Sequence, residues 1–246
     1  MTTEKLYYDF HIHSCLSPCA DSQMTPNNIV NMAALCMLDA IAITDHNTCG
    51  NAGAVMEVAA RAGILAMPGM ELCTSEECHV VCLFPDLESA TAFSEYVAKT
   101  LPPIKNNPAI FGEQILMDAD DTVVRHTSRM LAMASSISID ETAGLVREYG
   151  GTAFPAHIDR PSYSVTAALG TVPDVGFCTA ELSYISDADV LVKSYPILSE
   201  MKLLKSSDAH ALEMIHDRRA WLELPECSAA AVIAALNGGE CRFGLE

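Results

Sequence analysis

Short apolar runs that stop at a histidine, aspartate or glutamate recur along most of this chain, separated by stretches with helical spacing. Residues 6–11 read as a strand, and Thr25-Pro26 opens a helix, because Pro suits a first helical turn. Residues 40–44 (AIAIT) read as a second strand, 51–62 as an Ala-rich helix, 64–70 as a third strand and 79–84 (HVVCLF) as a fourth. A helix over 88–100 follows, and a capping box at Ser138-Ile139-Asp140-Glu141 starts a helix that ends at Gly150-Gly151. Strands are expected near 152–156, 178–183 and 202–207 and in WLELP, with a last helix over 228–237. Repeated strand–helix alternation with continuous apolar strands predicts a parallel sheet covered by helices. Only 102–137 breaks the rhythm, through Pro102-Pro103, Asn106-Asn107-Pro108 and Asp118–Asp121. It reads as an insertion, with a hairpin turning at Asp120-Asp121, inside a single domain spanning residues 1–246.

The residues that end these runs carry the chemistry. Asp9, His11 and His13 alternate along the first strand and so project to one face. Thr44-Asp45-His46 closes the second strand, Gly69-Met70-Glu71 the third, Pro155-Ala156-His157 a later one and Ser207-Asp208-Ala209-His210 the last inner one. In a parallel barrel the C-terminal strand ends share one face, so these positions converge although distant in sequence. His79 opens its strand, and joins them only through a turn or a reversed strand. Each residue also has an ordinary structural reading: Asp45 and Asp208 as helix N-caps, Glu71 as a surface carboxylate, a single His as a hydrogen-bonded structural residue. Six independent coincidences at six strand ends are a poorer account than one shared site. Imidazole and carboxylate together suit Zn, Mn or Fe without choosing among them.

Composition narrows the partners. The 246 residues carry a net charge of −18, which disfavours an extended nucleic-acid surface, since Lys and Arg supply that affinity. A short oligonucleotide held through metals stays open. No apolar run approaches a membrane span, and MTTEKLYYDF lacks the basic-then-apolar order of a secretion signal, so a soluble cytoplasmic protein is expected. The 10 Cys include no Cys-x-x-Cys pair and sit mostly among Ala, Val and Leu, which reads as reduced core packing. Cys15 and Cys19 flank the first motif and have oxidation sensitivity as a second reading.

The stretches DFHIHS, ITDHN, GMELCTSEECHVVCLF, PAHIDRPSYS and SSDAH stand in the order found in the PHP (polymerase and histidinol phosphatase) family. The chain resembles that family over essentially its whole length apart from the 102–137 insertion. The resemblance implies a distorted (β/α)7 barrel with up to three divalent metals, and phosphoester hydrolysis. Carried over by position, His11 and His13 bind one metal with Glu71 and Asp208. Glu71 bridges to a second metal held by His79 and His157, and a third takes His46 and His210. The third metal's remaining ligand is normally an Asp soon after the first motif. Asp21 is the residue available, although Ser17-Pro18-Cys19-Ala20 makes the spacing longer than usual in the family. Asp9 and Asp45, beside ligands, are assigned to orienting imidazoles from outside. His126 and His216 match no motif and are expected to be solvated.

The implied activity is hydrolysis of a phosphomonoester or phosphodiester of a small metabolite or nucleotide by a metal-bridging hydroxide, with Glu71, His157, Asp208 and Arg160 as the catalytic set. Arg160, three residues after His157, is the expected phosphate clamp, with Ser162 and more weakly Ser164 adding hydroxyls; a salt bridge to Asp159 is its structural alternative. Two other classes remain, a nuclease for short single strands and a non-catalytic metal-binding regulatory module. The intact ligand set weighs against the module, and the acidic balance against the nuclease. The sequence leaves oligomeric state open.

Overall fold

The computed structural model describes residues 4–245. Its strands are β1 (Glu4–Ile12), β2 (Ala40–Ile43), β3 (Leu65–Cys73), β4 (His79–Leu83), β5 (Ile115–Met117), β6 (Val123–His126), β7 (Thr152–Pro155), β8 (Thr179–Leu182), β9 (Lys202–Lys205), β10 (Ala220–Leu224) and β11 (Arg242–Leu245). The longer helices are α1 (Pro26–Leu35), α2 (Ala52–Ala62), α3 (Leu87–Thr100), then after a short α4 (Pro108–Phe111) α5 (Ile139–Glu148). Two short helices follow, α6 (Val165–Leu169) and α7 (Ala188–Ser194), before α8 (Ala229–Leu236).

The expected elements form within a residue or two of their predicted limits, except that β3 runs three residues further, to Cys73, and the sheet is mixed rather than parallel. Seven strands run in the order β11-β10-β1-β2-β3-β4-β7, and β8 pairs with β9 beside them. Only β1–β2–β3 and β8–β9 are parallel; β10 meets β1, and β4 meets both β3 and β7, antiparallel. The cause is local. Thr74–Cys78 is too short for a crossover helix and closes on itself through Thr74 N–H to the Cys78 carbonyl at 2.9 Å, so β4 must return along β3. That reversal brings His79 opposite Cys73, at the same end as Glu71, as the site required.

The sheet curls until its far end reaches β1. Ile158 N–H donates to the Glu181 carbonyl at 2.9 Å, linking the exit of β7 to β8. Ala209, just beyond β9, bridges Ile12, and His13 N–H donates to its carbonyl at 2.9 Å. The result is a mixed α/β fold with a curled, half-barrel sheet, in which the expected sevenfold strand–helix repeat is not regular. One apolar cluster, with Tyr8, Phe10, Ala42, Met67, Val81, Phe154 and Leu204, draws on strands all round the curl. A larger cluster joins the opposite strand faces (Ile41, Ile43, Met70, Leu72, Val80) to α1, α2, α3 and α5. Each fully buried Phe, Met or Ile contributes about 1.5–3 kcal/mol by leaving water. Among the described residues no helix is long and apolar enough to cross a membrane.

The 102–137 segment holds α4 and the β5–β6 hairpin, which turns where Asp118 N–H donates to the Thr122 carbonyl at 3.0 Å. It is stitched to the loop after β1: Ile115 N–H donates to the Cys15 carbonyl at 2.9 Å, and Asn51 bonds both Ser14 and the Ile115 carbonyl. Six of the ten cysteines are buried.

Candidate metal centre

The ends of β1, β2, β3, β7 and β9, with the start of β4, place eight of the nine expected metal ligands in one buried cluster. Glu71 is its hub. Its Oε1 lies 2.9 Å from His79 Nδ1, 3.1 Å from His157 Nε2 and 3.3 Å from His11 Nε2, and its Oε2 lies 2.9 Å from His46 Nδ1. Asp208 Oδ1 lies 3.2 Å from His11 Nε2 and 3.1 Å from His13 Nε2. Three overlapping donor groups result: His11, His13, Glu71 and Asp208; His46, Glu71 and His79; and His13, His46 and His210.

A bulge between Asp9 and Ile12, where β1 gains a residue against β2, re-aims the end of that strand next to the site. The ring tautomers then follow from the outer partners. His11 Nδ1 faces both carboxylate oxygens of Glu181 at 3.0 Å, so Nδ1 carries the proton. His13 Nδ1 faces Ser17 Oγ at 2.9 Å; that hydroxyl already donates to Asp45 at 2.7 Å, so the imidazole is again the donor. Both rings therefore turn an Nε2 lone pair inward, and the two Nε2 atoms are only 3.3 Å apart. Two lone pairs at that distance repel unless a proton or a cation stands among them.

The electrostatics agree. Burial alone would raise the Glu71 pKa, but the imidazoles of His79, His11 and His46 hold it well below the usual carboxylate range. Asp208, also opposed by burial, is held far down by His11 and His13. Burial and the neighbouring His13 take His210 down to about 3. Glu71 Oε2, Asp208 Oδ1 and His46 Nδ1 are buried and, although imidazole nitrogens or carboxylate oxygens lie close by, none makes a well-aligned hydrogen bond. Buried polar atoms are otherwise nearly always paired, so orphans on this many converging donors fit bound divalent cations.

Residues 9–160 match the PHP domain family, more than half of the chain. The chain belongs to that family. The 5'-3' exoribonuclease Rnm of Salmonella typhimurium is 33% identical over 91 residues, 35% of this chain and 30% of that protein. Among solved structures, the lesion-specific endonuclease Q of Pyrococcus furiosus aligns with a TM-score of 0.67 at 18% identity, over 98% of this chain and 58% of that one. A candidate metal-dependent phosphoesterase of Bifidobacterium adolescentis aligns with a TM-score of 0.59 at 17% identity, over 95% and 96% of the two chains. This chain therefore spans under two thirds of the first two relatives. Those two act on nucleic acid, which runs in part against the expectation, drawn from the net charge, of no extended nucleic-acid surface; a small phosphorylated substrate stays open.

Several expected roles shift within the PHP centre. Asp21 joins no donor group; its Oδ1 accepts from Gln23 N–H at 2.8 Å on the exposed side of a turn. Asp9 touches no imidazole side chain; Oδ1 accepts from Ser207 N–H at 3.0 Å and so positions the Asp208 segment. Asp45 acts one step further out than expected, binding Ser14 and Ser17, and only Ser17 touches His13. Arg160 pairs with Asp208 rather than Asp159, whose oxygens take Ser183 N–H and Ser186 Oγ. Ser162 lines the cavity over the centre, whereas Ser164 caps α6 through Ala167 N–H at 3.1 Å. His126 is exposed beside Glu113, as expected, but His216 is half-buried in a loop, edge-on to Tyr184 with ring centroids 4.1 Å apart. Cys15 is buried and pushed up to about 12, chiefly by that burial, which removes it as an oxidation-sensitive thiol.

Two contributors have no motif. Glu181, central in the short strand β8, orients His11 and also accepts from His157 N–H at 3.1 Å. Ser17 relays Asp45 to His13 and accepts from His46 N–H at 3.2 Å. The only sequence signal for Glu181 is a carboxylate inside an otherwise apolar strand.

Proposed function

We propose that this chain is a metal-dependent phosphoesterase hydrolysing a phosphomonoester or phosphodiester of a small metabolite or nucleotide. The observation that carries the reading is the convergence of the His11 and His13 Nε2 lone pairs, 3.3 Å apart, on two carboxylates with unpartnered buried oxygens. His11, His13, Glu71 and Asp208 would hold one cation, and Glu71, His79 and His157 a second. Zn, Mn and Fe all suit such donors. When bound, such cations acidify a water and draw charge from phosphoryl oxygens.

The chain's own groups prepare the rest. Glu181 and Ser17 fix the imidazole tautomers, and the buried cluster excludes bulk water. Arg160 lines two adjoining cavities and would exchange its Asp208 contact for non-reacting phosphate oxygens, with Ser162 beside it. The second cavity, about 340 Å³, lies past Arg160 and offers Tyr184, Ile185 and His216 to the organic part of the substrate. The 102–137 segment is a substrate wall in this reading, and 1–246 is one domain. The buried, unbridged thiols of Cys15, Cys36, Cys49, Cys73, Cys78 and Cys82 support a cytoplasmic setting.

The second reading, a nuclease for short single strands, is favoured by the exoribonuclease relative. The charge of −18 favours a short strand over a long duplex footprint. Assays of protein loaded with Mn or Zn, on nucleotides, histidinol phosphate and short oligonucleotides, separate the two. Absence of turnover on all of them, in protein shown to carry metal, overturns the enzyme reading and leaves a regulatory metal-binding module.

A further inference from the structure

His13, His46 and His210 bring ring nitrogens within 4.8 Å of one another, yet they do not complete a site. The single lone pair of His13 is on Nε2, 3.1 Å from Asp208 and 3.4 Å from Glu71, so it is spent on the group built around His11. His210 Nδ1 donates to the Asp208 carbonyl at 2.9 Å, which leaves its Nε2 as the donor atom. His46 turns Nδ1 to Glu71 at 2.9 Å, and its Nε2 faces the other way. Two imidazole nitrogens remain, fewer than the three protein ligands usual even in an open zinc site.

The next donor along the surface is Cys19, whose Sγ lies 3.2 Å from His46 Nε2. With bonds of about 2.3 Å to sulfur and about 2.0–2.1 Å to nitrogen, two ligands of one tetrahedral zinc sit roughly 3.5–3.6 Å apart. The observed gap is a few tenths of an ångström from that value. The turn bearing Cys19 is tethered on both sides. Ala20 N–H donates to the Ser17 carbonyl at 3.0 Å, and Asp21 N–H to the His210 carbonyl at 2.8 Å. Pro18 packs its carbonyl on Gly112, at a φ of +91° and with no room for a Cβ. Asp21 is held elsewhere by Gln23, and Cys15 is buried, so neither competes for the position.

We propose that Cys19 is a ligand of a further divalent cation, held with His46 Nε2 and His210 Nε2 on the open side of the centre. A thiolate beside two imidazoles favours zinc over magnesium or manganese. The inference rests on reading the centre as a metal site, and adds a ligand to it.

Cobalt(II) titration of the metal-free full chain tests it through a readout other than turnover. The wild-type protein should show a thiolate-to-cobalt charge-transfer band in the near ultraviolet. Cys19→Ser should lose that band and one bound equivalent while keeping the visible bands of histidine- and carboxylate-bound cobalt, and Asp21→Asn should keep everything. The Cys19 assignment is overturned if cobalt binds without the band, if the band survives in Cys19→Ser, or if Asp21→Asn is the variant that loses an equivalent. No cobalt binding at all would overturn the metal centre itself, a distinguishable failure.

Discussion

Glu181→Gln isolates what the outer partners of the centre do, because it keeps the shape of a buried side chain and removes one charge. In the wild-type protein both Glu181 oxygens face His11 Nδ1 at 3.0 Å, and Oε1 also takes His157 N–H at 3.1 Å. A glutamine can keep its carbonyl oxygen on His157 N–H, but its amide group then points at the His11 Nδ1 proton. The retained oxygen, also 3.0 Å from His11 Nδ1, stays an acceptor, but the amide donor beside it opposes the ring proton, so the hydrogen bond loses its charge and much of its hold on the tautomer. A charge-assisted hydrogen bond contributes about 1.5–3 kcal/mol, roughly 10- to 150-fold in an equilibrium constant. Outer partners of metal-bound histidines typically cost about 10–100-fold in metal affinity when changed, which is the same range. Competition against a chromogenic chelator should therefore show zinc or manganese bound about 10–100-fold more weakly, with circular dichroism unchanged. Excess metal should restore much of the phosphoesterase rate, since no substrate contact is removed. Unaltered metal affinity in a folded Glu181→Gln protein would refute the tautomer argument on which the centre rests.

The other predictions bear on the inner groups. Glu71→Gln should abolish hydrolysis and reduce bound metal by more than His157→Ala does, because Glu71 faces five imidazoles and His157 Nε2 faces one carboxylate; elemental analysis of both proteins decides. Arg160→Ala should raise KM for a phosphorylated substrate about 10-fold or more, the loss of one or two charge-assisted bonds, with metal content unchanged. In the metal-free protein burial lowers His13 and His46, but Asp208 and Glu71 at His13, and Glu71 and Cys19 at His46, more than reverse this and raise both to about 9. Groups raised in the folded state stabilise below their ordinary 6.5 and lose that effect as pH climbs through about 9. The Tm of metal-free protein should therefore fall across that window, while metal affinity rises and binding releases protons to the buffer; calorimetry in two buffers of different ionisation enthalpy measures the release.

The strand-end ligands were legible because each closes a recognisable apolar run, and the run's end fixes where its side chain goes. The antiparallel return of β4 was legible only in part, as one of two ways, with a turn, for His79 to reach the other ligands. The mixed sheet was less so, since continuous apolar strands look alike in parallel and antiparallel surroundings once both faces are buried. β11 leaves little trace in the sequence because it is only four residues long and mostly exposed. Glu181 lies 170 positions from His11 and Ser17 lies four from His13, yet neither role shows locally, because an imidazole's outer partner is chosen by tertiary proximity. Asp21 illustrates the converse: position along the chain suggested a ligand, but the turn after Ser17 presents Cys19 to His46 instead.

The centre is held ready by the surrounding fold rather than by the ligands themselves. His157 at a φ of +30°, Asp208 at +52° and Asn47 at +53° sit in backbone conformations that cost roughly 1–3 kcal/mol each in non-glycine residues. Each is pinned from outside: His157 by Glu181, the Asp208 segment by Asp9, and Asn47 by its bonds to the Leu131 and Met133 carbonyls and to Cys73 N–H. Orphaned oxygens on Glu71 and Asp208 add a desolvation cost of about 1–3 kcal/mol each, and more for a charged group. A fold that carries these costs in the metal-free state is stabilised by whatever cation removes them. Chelation should then lower Tm without changing secondary structure, because the outer bonds that set the geometry do not involve the metal.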